Sequence, residues 1–121
     1  MSFALRTRGC LLHHVPDSLV VLIDHQLRRA IAEKRLIEFT YQSMWRLAEP
    51  HDYGIQHGAV RLLVYQVRSR PFQRGWRMLD VAKIEELKVL DRQFGGTRRE
   101  GHTHHFHWDT IFARVDEPSP A

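Results

Sequence analysis

One stretch of the chain concentrates cationic and aromatic side chains and lacks acidic ones. No aspartate or glutamate lies between Asp52 and Asp80. The basic residues there are Arg61, Arg68, Arg70, Arg74 and Arg77, and the aromatic residues are Tyr53, Tyr65, Phe72 and Trp76. Guanidinium groups match phosphate oxygens and aromatic rings stack on bases, which is the combination that a single-stranded nucleic-acid platform needs. Composition alone leaves a solvated basic loop equally open.

Basic residues on separate predicted elements are the candidates for a cationic binding surface. They are Arg46, Arg68, Arg77 and Lys83. A charge-assisted hydrogen bond from a guanidinium to a phosphate oxygen is about twice as strong as a neutral one. The alternative is that these cations pair with carboxylates on neighbouring strands, namely Glu38, Glu49 or Asp80.

Three rings, Tyr41, Tyr65 and Trp76, are candidates for stacking on bases or on a nucleotide ring. Tyr41 continues the alternation of Ile37 and Phe39, so its pattern favours a place in the core. Trp76 follows a glycine at the start of a predicted strand, which leaves both interpretations open.

The C-terminal segment His102-Thr-His-His-Phe-His-Trp-Asp109 is rich in histidine. If residues 104–109 form a strand, His105, His107 and Asp109 share one face and could bind zinc or another divalent metal. The spacing is not that of a structural zinc motif, and polar residues on an exposed edge strand are commoner. We therefore predict no metal and no cofactor, and keep open a response of the histidines to pH near about 6.5.

Nothing in the sequence predicts catalysis. Ser18, Ser43 and Ser69 lie in no nucleophile-elbow context, and the chain has neither a P-loop nor a dinucleotide fingerprint. The single cysteine, Cys10, excludes an internal disulfide. The longest apolar run, from Leu19 to Ile23, is far shorter than a membrane span, and no signal peptide is visible. We expect a cytoplasmic protein that is not an enzyme.

Hydrophobic periodicity predicts one helix followed by short strands. Val20, Ile23, Leu27 and Ile31 share one helical face, which indicates a helix over residues 18–35. Strands are predicted over residues 37–42, 45–48 (ending near Pro50), 60–68, 75–81 and 87–90, and around 106–112, with turns at 53–58 and 95–96. The expected domain covers residues 18–116, after an arm of residues 1–17 and before a flexible tail of residues 117–121. This order favours a mainly β (α+β) fold, a small closed or nearly closed barrel.

A set of short elements in this order resembles the WYL domain of bacterial regulators. The elements are Ala30-Ile31, Ile37-Glu-Phe-Thr-Tyr41, Arg46, Glu49-Pro50, Gly58, Leu63-Val-Tyr-Gln66, Gly75-Trp-Arg77, Val81-Ala-Lys-Ile84 and Phe94. The Tyr65-Gln66 and Gly75-Trp76-Arg77 elements look most like those of compact, free-standing members without a helix-turn-helix. The resemblance implies an SH3-like, Sm-like barrel preceded by a helix, and a role in sensing nucleotides or single-stranded nucleic acid within transcriptional and phage-defence regulators.

The match to that family also has departures. Tyr41 and Arg46 match the first hairpin, and Leu63 matches the leucine of the triplet that names the family. Arg61 and Leu62 replace the tryptophan and tyrosine of that triplet, and Lys83 stands where the family usually has arginine. If those aromatic residues shape the family's pocket, the pocket of this chain is expected to differ from it. The lysine keeps the charge but loses the bidentate geometry of arginine.

The sequence thus predicts a non-enzymatic sensor domain that binds an anionic ligand, either single-stranded nucleic acid or a nucleotide. We expect it to act as a homo-oligomer, most commonly a dimer, or through a partner regulator protein, away from membranes. The alternatives are a protein–protein interaction module that modulates a partner regulator, and a metal- or pH-responsive regulator that uses the C-terminal histidines.

Overall fold

One helix precedes six strands in the part of the chain that the structure describes. A computed structural model describes residues 17–69, 73–98 and 106–116. The elements are helix α1 (Asp17–Ala32), strands β1 (Arg35–Tyr41), β2 (Met44–Gln56), β3 (Ala59–Ser69) and β4 (Gly75–Asp80), a 3₁₀ turn (Val81–Lys83), and strands β5 (Glu85–Gln93) and β6 (Thr110–Arg114). The predicted arm before residue 17 and the predicted tail of residues 117–121 lie outside these ranges. The mainly β prediction is confirmed.

All six strands belong to one antiparallel sheet. Its order is β4-β3-β2-β1-β5, and β6 pairs with β2 beside this path. Residues 44–48 of β2 pair with β1 and residues 52–55 pair with β6, while β3 runs along the other side of β2. No ladder joins β4 to β5 among the described strands, so closure into a barrel is not observed.

Strand β2 differs most from the prediction, which ended a strand near Pro50 and placed a turn at residues 53–58. The strand continues to Gln56, and the turn comprises only His57 and Gly58, both with positive φ (53° and 79°). Pro50 lies between the β1 and β6 ladders, next to a register shift in the β3 ladder. A strand tolerates proline at such a position because the missing N–H interrupts little of the ladder there.

The core lies between the C-terminal half of α1 and the sheet. Leu27, Ala30 and Ile31 pack with Ile37 and Phe39, and all five are at most 1% exposed. Val20, predicted on the same helical face, is 52% exposed, because the sheet does not cover the first turns of α1. The helix ends at Ala32 rather than Arg35, since Lys34 adopts a left-handed conformation with φ 54°. No helix in the described ranges is long and apolar enough to cross a membrane.

Candidate anion-binding site

A concave pocket of about 350 Å³ lies where the end of β1, the start of β2, the end of β3 and strand β4 meet. We call it the arginine pocket. Its lining residues are Tyr41, Gln42, Met44, Arg46, Gln66, Ser69, Gln73, Arg77, Met78 and Leu79. Two of them are cations, and none of these lining residues is acidic. The chemistry of the pocket is therefore that of a site for an anion.

Arg46 is the buried cation of the pocket. It is 5% exposed, and among the described residues its hydrogen-bond acceptors are two neutral amides: Nη1 donates to Gln66 Oε1 (3.1 Å) and Nη2 to Gln42 Oε1 (3.5 Å). Its Nε has no hydrogen-bond partner, and no carboxylate pairs with this guanidinium within the described residues. Burial, together with the charge of Arg77, lowers the pKa of Arg46, while Tyr41 opposes the shift. A buried, uncompensated charge is costly, and an anion would relieve that cost.

Arg77 supplies the second cation from β4. Its Nη1 donates to the carbonyl oxygen of Trp76 (2.8 Å) and its Nη2 to Gln73 Oε1 (3.5 Å). A guanidinium carries five N–H donors, and these contacts use only two of them. Because the acceptors are again neutral, the positive charges of Arg46 and Arg77 add within the pocket.

Gln66 fixes the position of Arg46. The residue is 2% exposed; its Nε2 donates to Ser69 Oγ (3.2 Å) and to the carbonyl oxygen of Gln73 (2.6 Å). Both donors being engaged, its Oε1 is left to accept from Arg46. We did not predict a role for Gln66, Gln42 or Gln73. The available signal was a glutamine inside the mostly apolar predicted strand of residues 60–68.

Tyr41 lies against the same pocket. The Arg46 guanidinium is 5.2 Å from the centre of its ring, a cation–π distance. Its Oη accepts a hydrogen bond from the backbone N–H of Asp80 (3.1 Å), and the residue is only 7% exposed. Tyr41, Arg46 and Arg77 are thus the predicted site residues that the structure brings together. Because Tyr41 is buried, it supports Arg46 rather than offering an open stacking face.

The other two predicted stacking rings require a correction, because they lie on the opposite face of the sheet. Neighbouring residues of a strand point to opposite faces, so Trp76 points away from the Arg77 side. Trp76 and Tyr65 are a cross-strand pair with ring centres 5.4 Å apart, and Trp76 also meets the edge of His51 (4.8 Å). The Arg98 guanidinium covers the Tyr65 ring at 3.8 Å. These rings therefore do not flank the arginine pocket.

The same face holds a buried histidine and carboxylate. His51 is fully buried; its Nδ1 donates to the carbonyl oxygen of Glu49 (2.9 Å), and burial lowers its pKa. The carboxylate of Glu49 accepts two hydrogen bonds from Arg98 (2.7 and 2.9 Å). This arrangement attaches the chain after β5 to β2, which is a structural role.

Arg68 and Lys83 also lie outside the pocket lining. Strand β3 has a register shift near residue 67, opposite Leu47 and Ala48, so Ser69 rather than Arg68 lies on the Gln66 side. Lys83 is exposed on the 3₁₀ turn, and its Nζ lies 3.5 Å from Asp80 Oδ2. For Lys83 the structure agrees with the alternative prediction, pairing with a neighbouring carboxylate. Asp80 also pairs with Arg61 (3.3 Å).

The histidine-rich segment is described only in part. His105, like Arg70 and Phe72, lies outside the described residues. His107 Nε2 is 3.7 Å from Asp109 Oδ1, and both residues precede β6 instead of forming the predicted strand face. Within the described ranges no group of three metal-ligating side chains occurs.

A second cavity, of about 530 Å³, is apolar. We call it the helix groove, and its lining residues are Leu19, Val20, Val21, Ile23, Asp24, Tyr53, Val60, Val81, Ala82, Ile84 and Phe112. Its carboxylate, Asp24, accepts hydrogen bonds from the Tyr53 hydroxyl (2.7 Å) and from Arg28 (2.9 Å). Burial and this hydrogen bond raise the pKa of Tyr53. The groove therefore offers apolar contact and little charge.

No family model, no curated protein and no solved structure matches the chain. The WYL resemblance therefore stays a prediction made from the residues quoted above.

Proposed function

We propose that this chain is a non-enzymatic sensor domain that binds an anionic, phosphate-bearing ligand in the arginine pocket. One observation carries the proposal: Arg46, 5% exposed and bonded to neutral amides, lies beside Arg77 in a lining whose described residues include no carboxylate. Two like charges in a partly desolvated pocket repel each other, and an anion between them turns that cost into attraction.

Phosphate is the anion that these side chains suit best. Guanidinium forks bind phosphate oxygens with two parallel hydrogen bonds, and unused donors remain on both arginines. Of the predicted ligands we favour a nucleotide over single-stranded nucleic acid. A strand would need stacking rings next to the cations, whereas Tyr65 and Trp76 lie on the opposite face.

We extend this proposal to the family and the detailed fold of the chain. A helix followed by one antiparallel sheet is the order that the WYL resemblance implies. We propose that the sheet is an open form of an SH3-like barrel and that the protein acts in the cytoplasm in bacterial transcriptional regulation. The replacement of the family's aromatic residues by Arg61 and Leu62 remains a departure from that family.

Substitution of Arg77 tests the proposed function. Isothermal titration would measure binding of adenosine 5′-monophosphate and of an oligothymidylate of about eight nucleotides. The loss of charged hydrogen bonds in Arg77→Gln should weaken binding about 10–100-fold. Arg74→Gln, an exposed arginine outside the pocket lining, is the matched control and should bind like wild type. Equal binding by folded Arg77→Gln and wild type, or no binding of either probe to wild type, would refute the proposal.

A second candidate function, self-association, is favoured by the exposed apolar start of α1. Leu19, Val20, Val21 and Leu22 are 45%, 52%, 54% and 53% exposed. Complete burial of such a side chain contributes about 1.5–3 kcal/mol. Covering the three half-exposed ones that line the helix groove, Leu19, Val20 and Val21, on two copies therefore gains about 4.5–9 kcal/mol. Association itself costs about 4–15 kcal/mol. A second copy of this chain would therefore dock weakly, through the helix groove of each protomer.

A further inference from the structure

The arginine pocket carries a more specific inference, which rests on the proposed function. We propose that it recognises a terminal phosphate monoester on a ligand of about the size of one nucleotide, and not an internal phosphodiester of a strand. The two kinds of phosphate differ in charge, in the number of their substituents and in the pH dependence of their charge. The charge, depth and lining of the pocket therefore favour one over the other.

Charge balance favours the monoester. Arg46 and Arg77 place two positive charges in the pocket, and none of the lining residues that the structure describes is a carboxylate. A terminal phosphate carries about −1.5 to −2 charges at pH 7, and a diester phosphate carries one. Only the monoester brings enough negative charge to balance both guanidiniums.

The depth of Arg46 points the same way. Because this residue is 5% exposed, a phosphate reaches it only by entering the pocket. A terminal phosphate enters with one substituent trailing behind it, whereas a diester must bring chain on both sides. A volume of about 350 Å³ lies at the lower end of the range for small-molecule sites.

The remaining lining suits the body of a small ligand. Met44, Met78 and Leu79 provide apolar surface, and methionine adapts its shape to flat rings. Gln42 and Gln73 carry amides on exposed residues, which can both donate and accept hydrogen bonds. A planar, polar group such as a nucleobase fits this combination.

The pocket itself gives a clear pH test. Its charged or titratable lining residues are Tyr41 from β1, Arg46 from β2 and Arg77 from β4. Within the described part of the chain, the lining contains no histidine and no carboxylate, the side chains that ordinarily change charge between about pH 4 and 7. A change of affinity in this range would therefore report the second ionisation of the ligand's phosphate, which occurs near about pH 6.

The experiment compares four probes on the full chain by isothermal titration: inorganic phosphate, adenosine 5′-monophosphate, and an oligothymidylate of about eight nucleotides with and without a 5′-phosphate. We expect the phosphorylated oligonucleotide to bind about tenfold or more tightly than its unphosphorylated twin. Affinity for the monophosphate should fall about tenfold between pH 7.5 and pH 5. Arg77→Gln should abolish both differences, and Arg74→Gln should keep them.

The outcomes separate this inference from the proposed function. If both oligonucleotides bind equally, without pH dependence, and Arg77→Gln still weakens them, the terminal-phosphate inference is wrong and anion binding stands. If phosphate-bearing probes bind wild type and folded Arg77→Gln equally, or do not bind at all, the proposed function fails with it.

Discussion

Replacing Gln42 by glutamate should weaken ligand binding while it stabilises the protein. Gln42 is exposed in the turn between β1 and β2, and its Oε1 lies 3.5 Å from Arg46 Nη2. The substitution keeps the shape and places a carboxylate at the position of the amide. Two unit charges about 4 Å apart interact by about 1 kcal/mol in water and about 4 kcal/mol at an effective dielectric constant of about 20.

Because Gln42 is exposed, the low end of that range applies. A competing carboxylate should cost a bound phosphate about 1–2 kcal/mol, which raises Kd about 5–30-fold. The new ion pair with Arg46 should stabilise the fold by about 0.2–1 kcal/mol. Affinity and stability are thus expected to change in opposite directions, whereas a misfolded variant would lose both.

Isothermal titration with adenosine 5′-monophosphate and urea unfolding would measure the two effects. The matched control is Ser43→Asp, which adds the same charge in the same turn but outside the pocket lining. Ser43 has a φ of 63°, a conformation that aspartate tolerates. The reasoning is refuted if Gln42→Glu binds the ligand as tightly as wild type, or if Ser43→Asp weakens binding equally.

Two further predictions concern acid stability and self-association. The pKa of Asp116 is lowered to about 2, from an ordinary value near 3.8, by Lys34 and by the N–H and hydroxyl of Thr97. The stability that ionised Asp116 contributes should therefore be fully present above about pH 4 and should be lost as the pH falls towards 2. Because Asp116 is 37% exposed, its protonation should cost at most about 1 kcal/mol of unfolding free energy. The urea midpoint should therefore drop less between pH 6 and pH 3 in Asp116→Asn than in wild type, and an equal drop in both proteins would contradict this. Sedimentation equilibrium should show weak dimers that Val21→Glu abolishes and Ser18→Glu preserves; monomeric wild type would exclude them.

The periodicity of the sequence sufficed for the helix and β1, because Leu27 and Ile31 share one buried helical face and Ile37, Phe39 and Tyr41 alternate as buried residues of the strand. The helix and strands β1, β3 and β4 lie close to their predicted bounds. Strand β2 was missed beyond Pro50 because proline and Gly54 ordinarily interrupt strands. Here Gly54 is required for close packing: a Cβ would lie only 2.1 Å from the carbonyl oxygen of Thr110 on β6. Pro50 and Gly54 are compatible with a strand here because of how β2 pairs with its neighbours, which no local sequence pattern encodes.

The sequence predicted mainly those residues of the site that carry a charge. Arg46 and Arg77 stood out as cations on strands, but the amides that hold them carry no charge signal. Arg68 was misplaced because a single register shift changes which residues share a face, and that shift depends on the β2–β3 pairing. Trp76 was grouped with Arg77 because the two are adjacent in sequence, although adjacency in a strand separates side chains.

The partners of the buried charged side chains on strand β2 give the strongest reason to regard the arginine pocket as a binding site. Glu49 and Asp52 each accept two hydrogen bonds from an arginine, Arg98 (2.7 and 2.9 Å) and Arg114 (3.1 and 3.3 Å) respectively. Arg46, similarly buried on the same strand, hydrogen-bonds only to amides among the described residues.

Those amides belong to Gln42 and Gln66, and each has the shape of a glutamate that would neutralise Arg46. The surplus positive charge is therefore a property of two side chains and is not imposed by the backbone. Leaving a buried guanidinium without a counter-ion lowers stability. Binding of an anion gives that arrangement a physical reason, because the same uncompensated charge that costs the free protein stability strengthens its attraction for a phosphate.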